Sequence, residues 1–356
     1  MIYFIIFGLL IFVEVINILT NYKYRIFENI YFWIIGFCIF FIAAFRDGIG
    51  YDFYSYENIY YAIRNSSNAL KNIDVELGYF LINKVSPNFT ILIFIIALLG
   101  VMIKLFVINK YSDDKILSLI MYFSGVFIMF DMGVIRQGIS ITLGLISIKY
   151  ILNKSPMKFF ITIIIGSFFH ISILVFIPLY FIGYKNYSRK TIYLTLFFIL
   201  LLSFLDLNKL ILEVANLLPF DIIKSKLSYY ASIDTGNITL SLIKRISFMV
   251  FFVEFYKRKG INDKKSLLFL NSYFLSIIIM GIFFSIDILG GRGSMGLYMF
   301  QIFIFAIIEK NIKGNLCKFI ILSLVVMLSV ASMMGPIKHG ATVGQPYLPY
   351  KSIFRF

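Results

Sequence analysis

Long apolar segments recur along the whole chain, and most of the charged residues lie between them. Of the 356 residues, 60% are hydrophobic, and the mean hydropathy is +0.90. A soluble domain of this size would expose too much apolar surface to water, so the composition excludes a soluble fold. Because a helix satisfies its own backbone groups in lipid, the sequence predicts an all-α polytopic integral membrane protein.

The apolar segments predict about 12 transmembrane helices in a single membrane domain, residues 1–356. Their approximate limits are 2–19, 31–45, 89–108, 116–130, 138–152, two short crossings within 156–183, 191–205, 238–256, 266–288, 294–308 and 317–334. One long tilted helix would also cover 156–183, whereas two crossings would bend at Phe169 and His170.

The distribution of lysine and arginine favours two crossings in this segment. With the N-terminus outside, an inside loop then carries a basic cluster: Lys257, Arg258, Lys259, Lys264 and Lys265. One crossing would move that cluster outside, against the usual excess of positive charge in cytoplasmic loops. The formal net charge of +15 is therefore interpreted as a record of topology and of contact with anionic lipid, not with nucleic acid.

The same topology predicts three larger segments on the outer side of the membrane. They are outer loop 1, residues 46–88, outer loop 2, residues 206–237, and an outer C-terminal tail, residues 336–356. The pattern of tyrosine and isoleucine in the first loop, and the pattern at 207–218 in the second, predict amphipathic helices at the membrane surface.

The second apolar segment ends in a stretch rich in charge, glycine and tyrosine, residues 45–56. Asp47 and Gly48 predict a turn. Gly50 adds a second point of backbone freedom or of close approach. The stretch is therefore a candidate functional loop at the outer membrane boundary.

Three side chains of this stretch suit a phosphorylated sugar ligand. A helix beginning at residue 51 would place Asp52 and Tyr56 on one face. Arg46 offers a planar set of donors suited to phosphate, and tyrosine rings suit a sugar face. The alternative interpretation is a snorkelling arginine beside an interfacial aromatic belt and an ordinary turn.

Further arginines are predicted at or just below the same outer face. Arg136 begins a predicted helix, and Arg292 lies in a glycine-rich turn expected to be flexible. Lys244 and Arg245 lie inside a predicted span, where a buried basic pair is costly and marks a functional candidate. For Arg136 and Arg245 the alternative is an arginine that snorkels to the phosphate layer, and the glycine-rich pattern around Arg292 is by itself a weak signal.

The sequence offers few ligands for a metal or a cofactor. Cys38 and Cys317 lie in apolar segments and are interpreted as packing residues. With only two histidines, His170 and His339, a histidine-rich metal site is excluded, and no nucleotide-binding or hydrolase motif appears. We therefore expect no metal and no cofactor.

Four short motifs together resemble a known family. They are the pattern F-R-D-x-x-G-x-D-x-x-x-Y at residues 45–56, Glu76-Leu77-Gly78-Tyr79, Arg136-Gln137 at a helix start, and Pro349-Tyr350-Lys351-Ser352 in the tail. These motifs are spread over most of the chain and resemble those of the EpsG-type exopolysaccharide polymerases, which match the Wzy O-antigen and capsule polymerases in role. The resemblance implies a fold similar to the GT-C-like membrane glycosyltransferases.

The resemblance also implies an activity and its partners. A polymerase of this type is a metal-independent glycosyltransferase of the bacterial cytoplasmic (inner) membrane, with its active site facing outward. It transfers a growing glycan from undecaprenyl diphosphate to the non-reducing sugar of another lipid-linked repeat unit and needs no nucleotide sugar. The expected partners are undecaprenyl-diphosphate-linked oligosaccharides, the lipid bilayer, and a chain-length regulator and a flippase of the same pathway.

By the same resemblance, the outer-face arginines are expected to hold the diphosphate through charge-assisted hydrogen bonds: Arg46, Arg136, Arg245 and Arg292. Asp52 or His170 would accept a proton from the attacking sugar hydroxyl. Asp52 is preferred, although an acidic residue at a helix start also serves as a cap, and a histidine in an apolar bend is more often a packing residue. A further set is expected to line the sugar cavity: Asp47, Tyr56, Glu76, Gln137, Tyr298, Tyr350 and Lys351.

Two rival functions remain open on the sequence alone. A lipid-linked oligosaccharide flippase would also be basic and polytopic, but it should place charges along a path open to both sides. An O-antigen ligase or membrane acyltransferase would share an outer-face cavity, and an acyltransferase would need a histidine, for which only His170 could serve.

The predicted topology can be tested by cysteine labelling in intact cells. Twelve crossings place both termini outside and residue 259 inside. An impermeant thiol reagent should therefore react with the Lys351→Cys variant and not with the Lys259→Cys variant. Reaction at position 259 in intact cells would show that the number of crossings is wrong.

Overall fold

The structure is a computed structural model that describes residues 1–23, 25–66, 73–205, 213, 239–286, 288–342, 344 and 346–354. Within these residues every regular element is a helix, in agreement with the predicted fold class. Two compact units can be distinguished: unit 1 is Met1–Ile173 with Phe305–Phe356, and unit 2 is Leu174–Ile304. The predicted outer loop 2 lies outside the described residues, except for Glu213.

The helices of unit 1 are α1 Ile2–Leu19, α2 Arg25–Ala44, α3 Phe53–Asn65, α4 Leu77–Val85, α5 Phe89–Tyr111, α6 Lys115–Met121, α7 Ile135–Leu152, α8 Pro156–Ser167 and, numbered by its place in the chain, α15 Asn315–Thr342. Helix α5 contains π-helical turns at Leu98–Met102, and α6 continues as π-helical turns over Tyr122–Asp131. Such turns inside a helix often mark functional sites.

The remaining helices are α9 Ile171–Ile182, α10 Arg189–Leu202, α11 Thr239–Lys259, α12 Lys264–Ile282, α13 Gly293–Tyr298 and α14 Gln301–Asn311. The chain passes from unit 1 to unit 2 within α9 and returns within α14. Residues Ile288–Arg292 form π-helical turns directly before α13. The prediction of a flexible turn at Arg292 was therefore wrong, because its glycines lie within a continuous helical path.

Six helices are long and apolar enough to cross a membrane: α1, residues 27–44 of α2, α5, α7, α12 and α15. The pair Leu289–Tyr298 and Gln301–Asn311, bent by 42°, would add a seventh if it forms one span. The described residues thus define a helical membrane protein with six to seven candidate spans. Other described helices, α6, α8, α9, α10 and α11, fall within predicted crossings but are shorter or more polar, so the number of twelve stays a prediction.

The predicted bend in 156–183 is confirmed as a break between α8 and α9. The break follows Ser167, and the main-chain N–H of His170 donates to the carbonyl of Gly166 at 3.1 Å. An added Cβ at Gly166 would lie 2.1 Å from Cδ1 of Ile173. The absence of a side chain at Gly166 therefore leaves room for Ile173.

Two segments predicted as extramembrane contain helices. Helices α3 and α4 lie in outer loop 1, as the pattern of that loop predicts. Helix α15 continues through Pro336 to Thr342, beyond the predicted end of the last span at Met334. The first part of the predicted tail is therefore helical.

A buried ion pair joins α5, α6 and α7 in the centre of unit 1. Nζ of Lys104, which is 0% exposed, lies 2.6 Å from Oδ1 of Asp131 and donates to the carbonyl of Gly138 at 2.9 Å. The hydroxyl of Tyr122 donates to Oδ2 of Asp131 at 2.8 Å. An added Cβ at Gly100 or Gly138 would lie only 3.0 or 3.2 Å from that carboxylate. Glycine at both places lets the helices meet around the pair.

The segment 346–353 returns from α15 to the end of α2. Arg46 and Ser352 form an isolated antiparallel bridge, with main-chain hydrogen bonds of 3.1 and 3.0 Å on its two sides. The hydroxyl of Tyr347 donates to the carbonyl of Ile128 at 3.0 Å and so ties the segment to α6. Two motifs that are far apart in the sequence are therefore neighbours.

Gly50 lies where outer loop 1 closely approaches the connection between α6 and α7. Its φ is +105°, and an added Cβ would lie 2.1 Å from the carbonyl oxygen of Met132. Gly50→Ala should lower the free energy of unfolding by about 2 kcal/mol or more, because it adds both backbone strain and a main-chain clash.

Gly335→Ala is the matched control, since an added Cβ at Gly335 meets nothing within 4 Å and alanine favours helix α15. Thermal unfolding of the purified variants in detergent provides the comparison. Equal midpoints for the two variants would contradict the structural role of Gly50.

Candidate functional site

Arg46 is a buried cation without a carboxylate partner among the described residues. It follows α2 directly and is only 3% exposed. Its Nη1 donates to the carbonyls of Ala43 at 3.2 Å and Asp131 at 3.0 Å, and lies 3.5 Å from Sδ of Met132. Its Nε and Nη2 have no hydrogen-bond partner. The guanidinium therefore donates only to neutral groups, and the nearby carboxylate of Asp131, which is paired with Lys104, interacts with it electrostatically but forms no ion pair with it.

Aromatic residues from distant parts of unit 1 surround Arg46. The guanidinium lies 6.0 Å from the ring centroid of Phe53. Burial lowers the pKa of Arg46, and the nearby tyrosines Tyr347, Tyr3 and Tyr350 oppose that shift. Burial also raises the pKa of Tyr350 to about 12, so its hydroxyl stays protonated and donates to the carbonyl of Ile42 at 3.1 Å.

Asp47 and Lys351, two of the predicted cavity residues, lie next to Arg46 and contact each other through main-chain atoms. The N–H of Asp47 donates to the carbonyl of Lys351 at 3.1 Å. Both side chains are exposed, so they contribute charge at the surface of this region rather than inside it.

Arg136 and Glu76 form a second, half-exposed site between two tyrosine rings. Nη1 of Arg136 lies 2.5 Å from Oε2 of Glu76, and each side chain is 27% exposed. The guanidinium lies 5.9 Å from the ring centroids of both Tyr56 and Tyr79, whose own centroids are 5.7 Å apart. The next residue on α7, Gln137, is buried. The structure thus brings together a cation, a carboxylate and two aromatic faces.

Asp52 adjoins this second site. It occupies the position before α3 and its main-chain carbonyl accepts from the N–H of Tyr56 at 3.0 Å, but its carboxylate makes no capping hydrogen bond. Burial raises the pKa of Tyr56, Arg136 opposes that shift, and Asp52 adds to it. The carboxylate therefore lies close to Tyr56, as predicted, and it does not serve as the helix cap.

His170 lies at the break between α8 and α9, against the same part of unit 1. Its carbonyl accepts from the hydroxyl of Ser140 on α7 at 3.0 Å. The carbonyl of Phe168, in the same break, accepts from the N–H of Gly78 at 2.7 Å, two residues after Glu76.

The imidazole of His170 is held by a serine two residues later. Nδ1 accepts from the main-chain N–H of Ser172 at 3.2 Å and lies 2.9 Å from its hydroxyl oxygen. This contact assigns the proton of the neutral ring to Nε2. In that tautomer Nδ1 of His170 is engaged as a hydrogen-bond acceptor.

Unit 2 contains a second buried arginine without a carboxylate partner among the described residues. Arg245 on α11 is 2% exposed, and its Nη1 donates to the hydroxyl of Ser294 at 2.6 Å. Its guanidinium lies 4.1 Å from the ring centroid of Tyr298, and Nζ of Lys244 lies 5.9 Å from the same centroid. Nε of Arg245 has no hydrogen-bond partner.

The π-helical turns before α13 position the serine that holds Arg245. The hydroxyl of Ser294 also donates to the carbonyl of Gly290 at 2.6 Å. An added Cβ at Gly290 would lie 2.7 Å from the carbonyl oxygen of Phe283, so glycine is required there. Arg292 ends these turns with an exposed side chain, unlike Arg245.

The predicted site residues thus fall into separate groups. Unit 1 holds Arg46, Asp47, Asp52, Tyr56, Glu76, Gln137, Arg136, His170, Tyr350 and Lys351, and unit 2 holds Arg245, Arg292 and Tyr298. That all four arginines bind one diphosphate stays a prediction.

Sequence reasoning missed two residues next to these groups, Tyr3 and Lys104, and it named Tyr79 only as part of a family motif. A lysine in an otherwise apolar segment was a signal for Lys104, because such a residue in a span is costly without a partner. Nothing in the local sequence marks Tyr3, since one tyrosine in an apolar helix is ordinary.

Three buried carboxylates of unit 1 form a separate cluster. Oxygens of Glu14, Asp114 and Glu309 lie within 4.8 Å of one another. The hydroxyl oxygen of Tyr22 lies 2.7 Å from Oε1 of Glu14 and 3.0 Å from Oδ2 of Asp114, and Nζ of Lys318 lies 2.8 Å from Oε1 of Glu309. Carboxylates suit a divalent cation, but the lysine already compensates one charge, so the cluster alone assigns no metal.

These elements define a helical membrane protein in which Arg46 and Arg245 are buried and have guanidinium nitrogens without a hydrogen-bond partner. A model of the EpsG family matches residues 29–352, and the chain belongs to that family. The family resemblance of the four motifs is therefore confirmed. The family indicates an exopolysaccharide polymerase-type role in polysaccharide biosynthesis. No curated protein and no solved structure gives a significant match.

The acidic cluster predicts how stability depends on pH. Burial, and then the neighbouring Glu309, raises the pKa of Asp114 from 3.8 to about 7. The folded protein therefore keeps a proton that the unfolded chain releases, and this contribution to stability is lost as the pH rises from about 4 to about 7.

Asp114→Asn removes this titration and keeps an acceptor for the N–H of Leu117, which Asp114 binds at 2.9 Å. Thermal unfolding in detergent should show a flatter pH dependence for the variant and a higher midpoint than wild type above about pH 7. Parallel pH curves for the two proteins would show that Asp114 does not titrate in this range.

Proposed function

We propose that the protein is a membrane glycosyltransferase that polymerises lipid-linked glycan repeat units. It transfers a growing glycan from undecaprenyl diphosphate to the non-reducing sugar of another lipid-linked unit, at the outer face of the bacterial cytoplasmic membrane. Membership of the EpsG family supports this proposal at the level of a polymerase-type role.

The proposal rests on two buried arginines whose hydrogen-bonding capacity is not fully used. Arg46 and Arg245 have no carboxylate partner among the described residues, and each has a guanidinium nitrogen without a hydrogen bond. Lys104 and Arg136 differ in that each contacts a carboxylate, although Nε of Arg136 also has no hydrogen-bond partner. An uncompensated buried charge is expensive, and diphosphate oxygens would compensate it through charge-assisted hydrogen bonds. The arginines therefore suit a substrate that carries a diphosphate.

The proposed reaction displaces the lipid diphosphate from the donor glycan. The acceptor hydroxyl attacks the anomeric carbon, the bond from that carbon to the diphosphate oxygen breaks, and the lipid diphosphate leaves with the electron pair. Asp52 accepts the hydroxyl proton. Arg46 binds oxygens of the leaving group and stabilises the negative charge that develops there. We assign a diphosphate ligand to Arg245 of unit 2 as well.

The site around Arg136 suits the sugar part of the substrate. The rings of Tyr56 and Tyr79 supply apolar faces, and Glu76 and Arg136 supply an acceptor and donors at partly exposed positions. Sugars combine apolar faces with hydroxyl groups, so this composition fits them better than it fits a bare phosphate. Because Glu76 already compensates Arg136, we assign this arginine to positioning the sugar next to Asp52.

The finer architecture belongs to the same proposal. Twelve crossings with both termini outside, similar to GT-C-like enzymes, would place these groups at the outer face, where lipid-linked units are presented. A flippase and a chain-length regulator of the pathway are the expected partners. The proposed reaction requires no metal ion and no cofactor.

Gene deletion separates the polymerase from its rivals. Loss of a polymerase should leave single repeat units on the cell surface, whereas loss of a flippase leaves none. Loss of a ligase would leave long chains on the lipid carrier. The length and the attachment of the surface glycan therefore discriminate among the three functions.

Substitution of the arginines tests the diphosphate assignment. Arg46→Lys, Arg245→Lys and Arg292→Lys should each lose most polymer at normal protein levels, because lysine lacks the planar set of donors, and Arg136→Lys should lose polymer through its effect on the sugar. Arg189→Lys is the control, since Arg189 is an exposed residue paired with Glu254. Wild-type polymer from two or more of the three variants at positions 46, 245 and 292 would overturn the diphosphate assignment.

A second pair of variants identifies the base. Asp52→Asn keeps the size of the side chain and removes its basicity, so it should abolish polymer and leave the lipid-linked substrate bound. His170→Gln should reduce activity only partly, because the imidazole mainly holds the break between α8 and α9. Long chains from the asparagine variant and none from the glutamine variant would reverse the two roles.

A further inference from the structure

Tyr3 is a buried tyrosine whose hydroxyl has no hydrogen-bond partner. It lies at the start of α1, is 0% exposed, and packs edge-on against Tyr350 with the ring centroids 6.1 Å apart. Buried hydroxyl groups are usually satisfied by protein or water, so an unsatisfied one needs an explanation.

Contacts with neighbouring residues place Tyr3 and Arg46 in one region: the ring of Tyr3 packs against Tyr350, whose hydroxyl donates to the carbonyl of Ile42 at 3.1 Å, and Arg46 donates to the next carbonyl, that of Ala43, at 3.2 Å. The two side chains interact electrostatically, but no hydrogen bond joins them. Arginine nitrogens can only donate, and Tyr350, the other hydroxyl in contact with Tyr3, already donates to the carbonyl of Ile42. The group of unsatisfied atoms therefore holds a positive charge and an excess of donors.

We propose that Tyr3 is a phosphate-binding residue, whose hydroxyl and the Nε and Nη2 of Arg46 together bind oxygens of one phosphate group. A phosphate oxygen accepts several hydrogen bonds and brings the negative charge that Arg46 lacks. The inference rests on the proposed function and adds a residue from α1, which no motif of the chain includes.

Access to this group requires movement of the segment 346–353. Arg46 is 3% exposed and Tyr3 is 0% exposed. Tyr350, which belongs to that segment, contacts Tyr3, and the bridge from Ser352 covers Arg46. The phosphate enters when the segment separates from α2 and is enclosed when it returns.

Tyr3→Phe tests the proposal with little change to the unliganded protein. The lost hydroxyl makes no hydrogen bond with the protein, so the unfolding midpoint without ligand should stay at the wild-type value. A prenyl diphosphate, for example farnesyl diphosphate, should stabilise the wild-type chain in detergent. Its apparent Kd for Tyr3→Phe should rise about tenfold or more, because a hydrogen bond to a charged group is lost.

The control is Tyr61→Phe, since Tyr61 is an exposed tyrosine on α3 that the site does not use. Its affinity for farnesyl diphosphate should equal that of wild type. Inorganic pyrophosphate is titrated in parallel, and a similar rise of its apparent Kd in Tyr3→Phe would locate the effect at the phosphate rather than at the lipid chain.

Binding of farnesyl diphosphate to Arg46→Lys in the same assay distinguishes a failure of the role of Tyr3 from a failure of the proposed function. Wild-type affinity in Tyr3→Phe together with weak binding in Arg46→Lys would overturn the role of Tyr3 and leave the proposed function intact. Wild-type affinity in both variants would overturn both. A lower midpoint of unliganded Tyr3→Phe would show that the hydroxyl is structural and would also overturn the proposal.

Discussion

The compensation of buried positive charge is the constraint on which the structure of unit 1 depends. Lys104 lies inside an apolar helix and is tolerated because Asp131 provides a carboxylate and Gly138 a carbonyl. The second carboxylate oxygen of Asp131 is occupied by Tyr122, so this residue offers Arg46 only its main-chain carbonyl. The ion pair that stabilises the centre of the unit thus leaves the neighbouring arginine oriented but not neutralised.

The second unit shows the same chemistry with different partners. Arg245 is held by a hydroxyl, a sulfur atom and an aromatic face, from Ser294, Met295 and Tyr298. Neutral groups of this kind fix the orientation of a guanidinium without cancelling its charge. An arginine prepared in this way binds an anion more strongly than one that must first leave a carboxylate. The same distinction separates Arg46 from Arg136, and it suggests different substrate groups for the two sites.

Features set by neighbouring residues could be predicted from the sequence. Apolar runs located the helices, and the proximity of Asp52 to Tyr56 followed from one helical turn. Contacts between distant segments could not be predicted, because no periodicity relates Lys104 to Asp131 or Tyr350 to α2. The motifs at residues 45–56 and 349–352 were both recognised in the sequence. Neither motif, however, indicates that Ser352 pairs with Arg46. The flexible turn predicted at Arg292 is helical in the structure. Glycines, which often mark a turn, also permit close packing of the main chain, as at Gly290.

The return of segment 346–353 to the end of α2 has a consequence for biogenesis. Tyr350 meets Ile42 across 308 positions of the chain, so the surroundings of Arg46 remain incomplete while almost all of the helices are synthesised and inserted. Domains form as the chain emerges, from its N-terminal part onward. Until this segment arrives, Arg46 can keep its charge hydrated or in contact with lipid head groups. The surroundings of Arg46 are therefore completed late, after most of the helices have been synthesised.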